Sequence, residues 1–539
     1  MYDWSCLGNQ GHTMKESSAK NPNVLVIITD QQRADHAGFM GNKTLNTPNL
    51  DRLASRSVVF QNAWVSNPVC MPNRCSILTG RMPTAHGVIF NDRSLEWNAN
   101  TFVRQFKQAN YSTTLIGKSH LQHGMSRNSM VPFRGSGAFQ NLFPPGWDEI
   151  ENYENYLDDD TLKTEDFYGF GEIELAIDHG ARVSGHHLLW ALEKGAKKDE
   201  LLVEYDASAP GHKRSKNWWQ VYQPPYSEEY HSTSFVTERT IDHIRSKSNK
   251  ENPWLIWSSF PDPHHPMTPP GKWFERHKPE DMSLPDSRSD TLSDAPEHLR
   301  LFQGIHPRDQ RDWVSPCGYG DDDLLREAIA STYGMIEMVD NGIGKILEYL
   351  KETGELDNTI IVFTSDHGDM MGDHGLFLKG FMHYRGTLQV PLMINAPGIA
   401  PDQNQALASS IDICPTLLEL CEIPFYEGIQ GKSLQPILAG KQETIRNGIL
   451  IEDDIATVTA KLTPIPAKTR TLITSDYRYT RNSKAEEQLF NMIDDPEEMT
   501  DLKSMVPKAK SIVIEQMMDM LIDADDAARG APTAATNAV

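Results

Sequence analysis

Asn23-Val24-Leu25-Val26-Ile27-Ile28-Thr29-Asp30 carries no polar residue between Val24 and Ile28. A short run of this kind, largely β-branched, is the mark of a strand buried on both faces of a parallel sheet. It ends in a polar cluster, Asp30-Gln31-Gln32-Arg33. In open α/β sheets ligands collect beyond the carboxyl ends of the strands, so this cluster is where a site is expected.

The same grammar recurs outward along the chain. Ser112-Thr-Thr-Leu-Ile116 reads as a strand delivering Gly117-Lys118-Ser119-His120, and Pro253 to Phe260 as one delivering Pro261-Asp262-Pro263-His264-His265-Pro266. Asn358 to Thr364 delivers Ser365-Asp366-His367-Gly368-Asp369, and Val58-Val59-Phe60 is a further strand. Helical patterns separate them: a capped Thr47 to Ala54, an amphipathic Thr101 to Asn110, and Asp322 to Thr353, the strongest helix in the chain. Alternation of this kind predicts an α/β protein with a large, mostly parallel central sheet flanked by helices.

From about Gly431 the elements shorten. Gly448 to Glu452, Thr469 to Thr474, Tyr477 to Asn482 and Glu487 to Asn491 read as strands, followed by a helix from Pro507 to Leu521. A smaller C-terminal α+β subdomain with an antiparallel sheet is expected. The full division is a polar leader over 1–20, a catalytic domain over 21–430, this subdomain over 431–524 and a disordered tail over 525–539. Within the large domain 130–316 reads as insertions that set specificity, with persuasive helices at Leu188 to Lys194 and Glu228 to Ile244, and as surface loop after Pro266 to about Pro316.

The 539 residues carry a formal net charge of −23, which argues against nucleic acid, since phosphate binding relies on Lys and Arg. An anionic substrate must then be drawn in by a local positive site. Six cysteines without paired spacing suggest neither a disulfide framework nor a zinc motif. Met1 to Lys20 lacks the apolar run of a signal peptide, and no stretch reaches the roughly 20 apolar residues of a membrane span. The default expectation is a cytoplasmic protein with no membrane partner, or a periplasmic or secreted one if the native N-terminus differs.

One stretch carries reactive chemistry: Val69-Cys-Met-Pro-Asn-Arg-Cys-Ser-Ile-Leu-Thr-Gly80. Pro72 suits a first helical turn and Gly80 suits a helix stop, which places Cys70 at the positive end of a short helix. Alone, Cys70 would pass for one more small buried hydrophobe. Four strand ends add Asp30-Gln31, Lys118 with His120, His264, and Asp366-His367, and the stretch itself adds Arg74. Carboxylates, an amide and an imidazole together favour one hard divalent cation such as Ca²⁺ or Mg²⁺, while the imidazole also suits Mn²⁺.

The pattern Cys70-x-Pro72-x-Arg74, followed by Thr79-Gly80, resembles the signature of the formylglycine-dependent sulfatases of the alkaline phosphatase superfamily. The likeness runs from about Asn23 to Leu502. It takes in Ser365-Asp-His-Gly-Asp-x-x-Gly-Asp-His-Gly375, Pro263-His264-His265-Pro266 and the ending Glu487 to Leu502. The resemblance implies an alkaline-phosphatase-like fold and conversion of Cys70 to formylglycine by a maturation enzyme. It also implies one metal, Ca²⁺ as first choice, on Asp30, Gln31, residue 70, Asp366 and His367. Cys70, Arg74, Lys118, His120, His264 and Lys379 are then expected to be catalytic and Asn91 to touch substrate. Hydrolysis of sulfate monoesters follows, on a sulfated saccharide or small organic sulfate, with a homo-oligomer left open.

Two departures matter. Gln31 stands where sulfatases often have a second aspartate, a variant resembling phosphonate monoester hydrolases and choline-sulfatase-like enzymes, and Tyr384-Arg385-Gly-Thr-Leu-Gln389-Val390-Pro391 replaces Tyr-Glu-x-x-x-Arg-Val-Pro. A phosphonate monoester or phosphodiester hydrolase is therefore the alternative reading, weighed against by Gly117-Lys118-Ser119-His120. A non-catalytic binding protein with unmodified Cys70 is the alternative of another class. Asp178-His179-Gly180, His186-His187, Trp218-Trp219 and Trp273-Phe274 offer side chains of a kind that pack on sugar rings.

Overall fold

A computed structural model of the chain describes residues 21–124, 144, 146–157, 166–202, 213–248, 251–309, 316–456 and 460–524. The expected leader over 1–20 and tail over 525–539 lie outside the described residues, as does part of the 130–316 segment.

Eight strands form the main sheet: β1 (Asn23–Thr29), β2 (Val58–Trp64), β3 (Ser112–Gly117), β4 (Glu172–Leu175), β5 (Trp254–Ser259), β6 (Thr359–Ser365), β7 (Leu392–Asn395) and β8 (Asp402–Ser409). Their spatial order is β8-β2-β7-β6-β1-β5-β3-β4. Every pair is parallel except those of β7, which runs antiparallel to both β2 and β6. Two antiparallel steps restore the direction, so β2 points the same way as β6. The carboxyl ends of β1, β2, β3, β5 and β6 therefore share one edge.

β1 shows why its run is apolar throughout. Val24, Val26 and Ile28 enter one core, with α2 (Cys70–Thr79), α3 (Phe102–Gln108) and α6 (Ile413–Leu420). Leu25 and Ile27 enter the other, with α1 (Pro48–Ala54), α4 (Ser232–Lys247) and α5 (Asp322–Glu352). All five side chains are fully buried, each worth about 1.5–3 kcal/mol of transfer free energy. At the end of β3, Gly117 holds φ 94°, and a Cβ there would lie 1.8 Å from the Ser259 carbonyl oxygen. Only glycine lets the two strand ends close to that distance.

The antiparallel sheet of the C-terminal part is β9 (Ile449–Asp454), β10 (Lys468–Ile473), β11 (Tyr477–Asn482) and β12 (Glu487–Asn491), paired in sequence order. α7 (Pro507–Ala524) lays Val513 and Met517 on Leu472, Tyr479 and Leu489. The sheet is tied to the segments on either side of α2: Asn67 Nδ2 donates to the Glu452 carbonyl at 2.6 Å, and the Thr84 N–H donates to the Glu452 carboxylate at 2.9 Å.

Some local expectations change. The stretch read as surface loop up to Pro316 contains a helix, Glu297–Gln303, whose Leu299 and Phe302 are buried against Leu376 and Tyr384. The helix expected from Glu228 begins at Ser232, after a 3-10 turn over Glu228–Tyr230. Trp218 is a core residue, its ring centroid 5.0 Å from that of Phe377, and His187 stacks on Phe235 at 5.1 Å. The Trp273 indole donates to Glu228. Packing accounts for these aromatics without a sugar.

Candidate active site

Pro72 and Gly80 bracket α2 as the sequence predicts. Cys70 is the first helical residue, and Gly80 closes the helix at φ 64°, where a Cβ would lie 2.9 Å from Cys414 Sγ. Asn73, on the inner face of α2, donates to the Asp366 carbonyl at 2.5 Å while its Oδ1 accepts from the Ser66 N–H and from Ser410 Oγ. The helix start is thereby fixed against β6. Cys70 is 1 % exposed.

Around Sγ of Cys70 the strand ends converge. His367 Nε2 lies 3.0 Å away, Asp30 Oδ1 3.8 Å, and Lys379 Nζ donates to it at 2.8 Å. The same ammonium reaches His264 Nε2 at 2.6 Å and His367 Nε2 at 3.0 Å, so its three N–H groups have three acceptors. Asp369 carries the loop that presents Lys379: its Oδ1 accepts from the Met371 and Leu378 N–H groups.

Arg74 is fully buried and works as a clamp. Its Nε donates to Asp366 Oδ2 at 2.7 Å, Nη1 donates to the Lys118 carbonyl and to Ser259 Oγ, and Nη2 lies 3.6 Å from Asp30 Oδ2. Lys118 Nζ donates to Asp30 Oδ2. Burial alone would raise the Asp30 carboxyl, but Lys118, Lys379 and Arg74 hold it well below the usual carboxylate range. Burial and Asp30 push the Cys70 thiol up; Lys118, Lys379 and His367 outweigh them, and the net shift is downward. His264 is pushed well below the usual imidazole range by burial and by the neighbouring His179, His265 and lysines, so it is neutral.

The donor set fits a single cation. Asp30, Cys70, Asp366 and His367 are buried and offer ligand atoms within 4.8 Å of one another, a spacing that matches oxygen ligands at roughly 2.3–2.6 Å on opposite sides of one ion. Gln31, at φ 64°, donates its N–H to Asp366 Oδ1, and its side-chain Oε1 is buried without a hydrogen-bond partner. An orphaned buried carbonyl oxygen is costly unless something else satisfies it. His367 Nδ1 sits 2.8 Å from the Gly368 carbonyl and so carries the proton, which leaves the Nε2 lone pair facing the cluster.

Of the predicted residues, Asp30, Cys70, Arg74, Lys118, His264, Asp366, His367 and Lys379 thus meet at one buried point, with Gln31 beside them. Two stand apart. Asn91 Oδ1 accepts from the Met71 N–H at 3.1 Å, at the start of α2. His120, held in the left-handed region at φ 53° with its N–H on Glu151, has its ring 6.1 Å from that of His179, and its Nδ1 is buried without a partner. Two residues outside the predicted set join the site: His265, whose Nδ1 contacts Gln31 Nε2 at 2.9 Å, and His179, expected only as a side chain to pack on a sugar ring, which contacts Lys118 and stacks on His264. His265 lies inside the quoted Pro-His-His-Pro motif. For His179 the only signal was the Asp-His-Gly turn.

Comparison with known proteins gives a consistent outcome. Residues 22–423 match the family described as Sulfatase, and residues 372–526 match that described as N-sulphoglucosamine sulphohydrolase, C-terminal. The chain is 30 % identical over 510 residues to an arylsulfatase of Clostridium perfringens, covering 92 % of this chain and 94 % of that one. It is 27 % identical over 450 residues to an N-acetylglucosamine-6-O-sulfatase of Bacteroides thetaiotaomicron, covering 80 % and 73 %. In three dimensions it resembles the phosphonate monoester hydrolase of Agrobacterium radiobacter with a TM-score of 0.73 and 24 % identity, over 93 % of this chain and 96 % of that one.

Proposed function

Since the chain belongs to the sulfatase family and is a sulfuric ester hydrolase, we propose that it cleaves sulfate monoesters of a carbohydrate through a nucleophile made at residue 70. The observation that carries this is the buried convergence of Lys379, His367 and Asp30 on Cys70, with Arg74 and Lys118 behind it. The saccharide is supported by the relative acting on N-acetylglucosamine 6-O-sulfate.

In this proposal Cys70 Sγ stands in for an oxygen of hydrated formylglycine, which supplies a nucleophile that a thiol cannot match and a second hydroxyl that later lets the sulfate go. A divalent cation, Ca²⁺ as first choice, held by Asp30, Gln31, Asp366 and His367 would supply Lewis-acid polarisation at that oxygen. Arg74 and Lys118 neutralise the sulfate oxygens in a site screened from the acidic bulk of the chain.

The pair Lys379–His264 serves the leaving alcohol. His264 Nδ1 donates to the His265 carbonyl, so its Nε2 is an acceptor and receives a hydrogen bond from Lys379 at 2.6 Å. The proton that the departing oxygen needs therefore resides on the ammonium, and His264 holds that ammonium in place and can share the proton. His120, the group that the family resemblance assigns to take a proton from the residue-70 side when sulfate is released, stands off the cluster with its Nδ1 buried and unpartnered.

Phosphonate monoester hydrolysis is the reading it must beat, because Gln31 and His367 fit it equally. The stretch Gly117-Lys118-Ser119-His120, which resembles the Gly-Lys-x-His of sulfatases, favours the sulfate monoester. Turnover of an aryl sulfate and of an aryl phosphonate monoester with the same phenol should differ by at least about 100-fold in kcat/KM in favour of sulfate, or about 2.7 kcal/mol in transition-state binding. A preference for phosphonate refutes the proposal.

A further inference from the structure

Behind Lys118 stands a histidine that the signature motifs do not include. His179 lies on the turn between β4 and the helix His186–Glu193. Gly180 follows it, and a Cβ there would come 2.9 Å from the Pro266 carbonyl oxygen, so the turn is pressed against the His264–Pro266 segment. The His179 ring stacks on that of His264, with centroids 3.7 Å apart and planes 21° from parallel.

Its protonation state follows from its neighbours. His179 Nδ1 is 3.1 Å from Asp178 Oδ1. The other Asp178 oxygen accepts from Arg182 at 2.7 Å, and the Arg182 guanidinium lies 4.4 Å from the centroid of the Tyr153 ring. A carboxylate paired to arginine only accepts, so the proton sits on Nδ1, and Nε2 of the neutral ring is an acceptor. That acceptor is 2.5 Å from Lys118 Nζ, which can only donate.

We propose that His179, oriented by Asp178 and Arg182, is a positioning residue for Lys118: it takes one N–H of the ammonium, Asp30 takes a second, and the third is left aimed at the substrate anion. A lysine is a flexible point charge with four rotatable carbons, and without a second acceptor it would be free to swing about Asp30. His179 has no hydrogen bond to residue 70, Asp366 or His367, and its Nε2 lies 3.7 Å from Asp30 Oδ2, farther than from the Lys118 ammonium through which it acts. The proposal rests on sulfate ester hydrolysis only for the identity of that anion.

The test uses full-length protein carrying matured residue 70, as wild type, His179→Ala and His179→Gln. For each, kcat/KM is measured on an activated aryl sulfate and on an alkyl sulfate, and inhibition by inorganic sulfate is measured beside them. His179→Ala should lose about 10–100-fold in kcat/KM, the usual loss when an outer partner of a reacting group is removed. The loss should be equal on the two esters, because Lys118 acts on the anion and not on the leaving group, and sulfate inhibition should weaken in parallel. His179→Gln should recover most of it, since its amide oxygen can occupy the place of Nε2.

Wild-type kinetics and sulfate inhibition in His179→Ala overturn the proposal. So does a loss confined to the poorer leaving group, which would place the action at His264, or a Gln variant as impaired as Ala. If the wild type instead prefers phosphonate monoesters, the sulfate reading fails, and the same three proteins compared on two phosphonate monoesters still judge His179.

Discussion

Cys70→Ala is expected to lower turnover of an aryl sulfate by about 10⁴-fold or more, the scale on which removal of an enzyme nucleophile acts. Among the described residues, the hydrogen-bond contacts of Cys70 Sγ are with the reacting cluster: Lys379, His367 and Asp30. The backbone of α2 is held by other means, through Asn73 to Asp366 and through Gly80 at its end. Loss of one sulfur should therefore leave the thermal unfolding midpoint within a few degrees of wild type. Kinetics on purified variant, with far-UV circular dichroism on the same sample, separate the two effects. Residual activity within tenfold of wild type would show that residue 70 is not the attacking group.

Arg74→Ala should damage both fold and function. The guanidinium has no solvent exposure and bonds the carboxylate of Asp366, the Lys118 carbonyl and Ser259 Oγ, with Asp30 at 3.6 Å. Removing it leaves the buried Asp366 carboxylate without its bonded cation, which costs about 3–5 kcal/mol of stability. It also removes a fixed positive charge from the place where the proposed mechanism seats the sulfate oxygens, worth about 10²–10³-fold in kcat. Lysine should not rescue it, because one ammonium cannot serve the spread of acceptors that the guanidinium fork reaches. Denaturant unfolding measures the first effect and turnover the second. An Arg74→Ala protein with an unchanged unfolding midpoint would contradict the clamp.

How much of this was legible in the chain varies with what each segment must satisfy. β1, β3, β5 and β6 stand in the middle of the sheet, buried on both faces; β1, β5 and β6 declare themselves as largely apolar runs and β3 by its Thr-Thr-Leu-Ile core, and each ends in a polar cluster. β7 is four residues long, and β8 begins Asp402-Gln-Asn-Gln because it is the edge strand and its first half faces water. Neither has a pattern that stands out from loop. The helix Glu297–Gln303 hid among prolines and charges because only two of its seven side chains, Leu299 and Phe302, bury apolar surface in the core.

At the site, the motifs picked out Asp30, Gln31, Lys118, His264, Asp366 and His367 at strand ends and Cys70 and Arg74 on α2, since the parallel sheet brings such residues to one edge whatever lies between them. His179 was read only as a side chain to pack on a sugar ring, and His265 only as part of its motif. Their roles depend on a turn after an outer strand folding back onto the edge, and on a side chain turned towards Gln31. Nothing in local spacing encodes either. Asn91 shows the converse: its side chain holds the Met71 N–H, and any contact with substrate must coexist with that bond.

The central claim is that residue 70 of the active protein is formylglycine and not cysteine. The direct measurement is the mass of the proteolytic peptide containing residue 70, from protein produced with a maturation enzyme, taken alongside sulfate ester turnover of the same preparation. A peptide about 18 Da lighter than the cysteine form, the difference between a thiol and an aldehyde at that carbon, is predicted, with activity rising in proportion to the converted fraction. Full activity in protein whose residue 70 retains the mass of cysteine would contradict it.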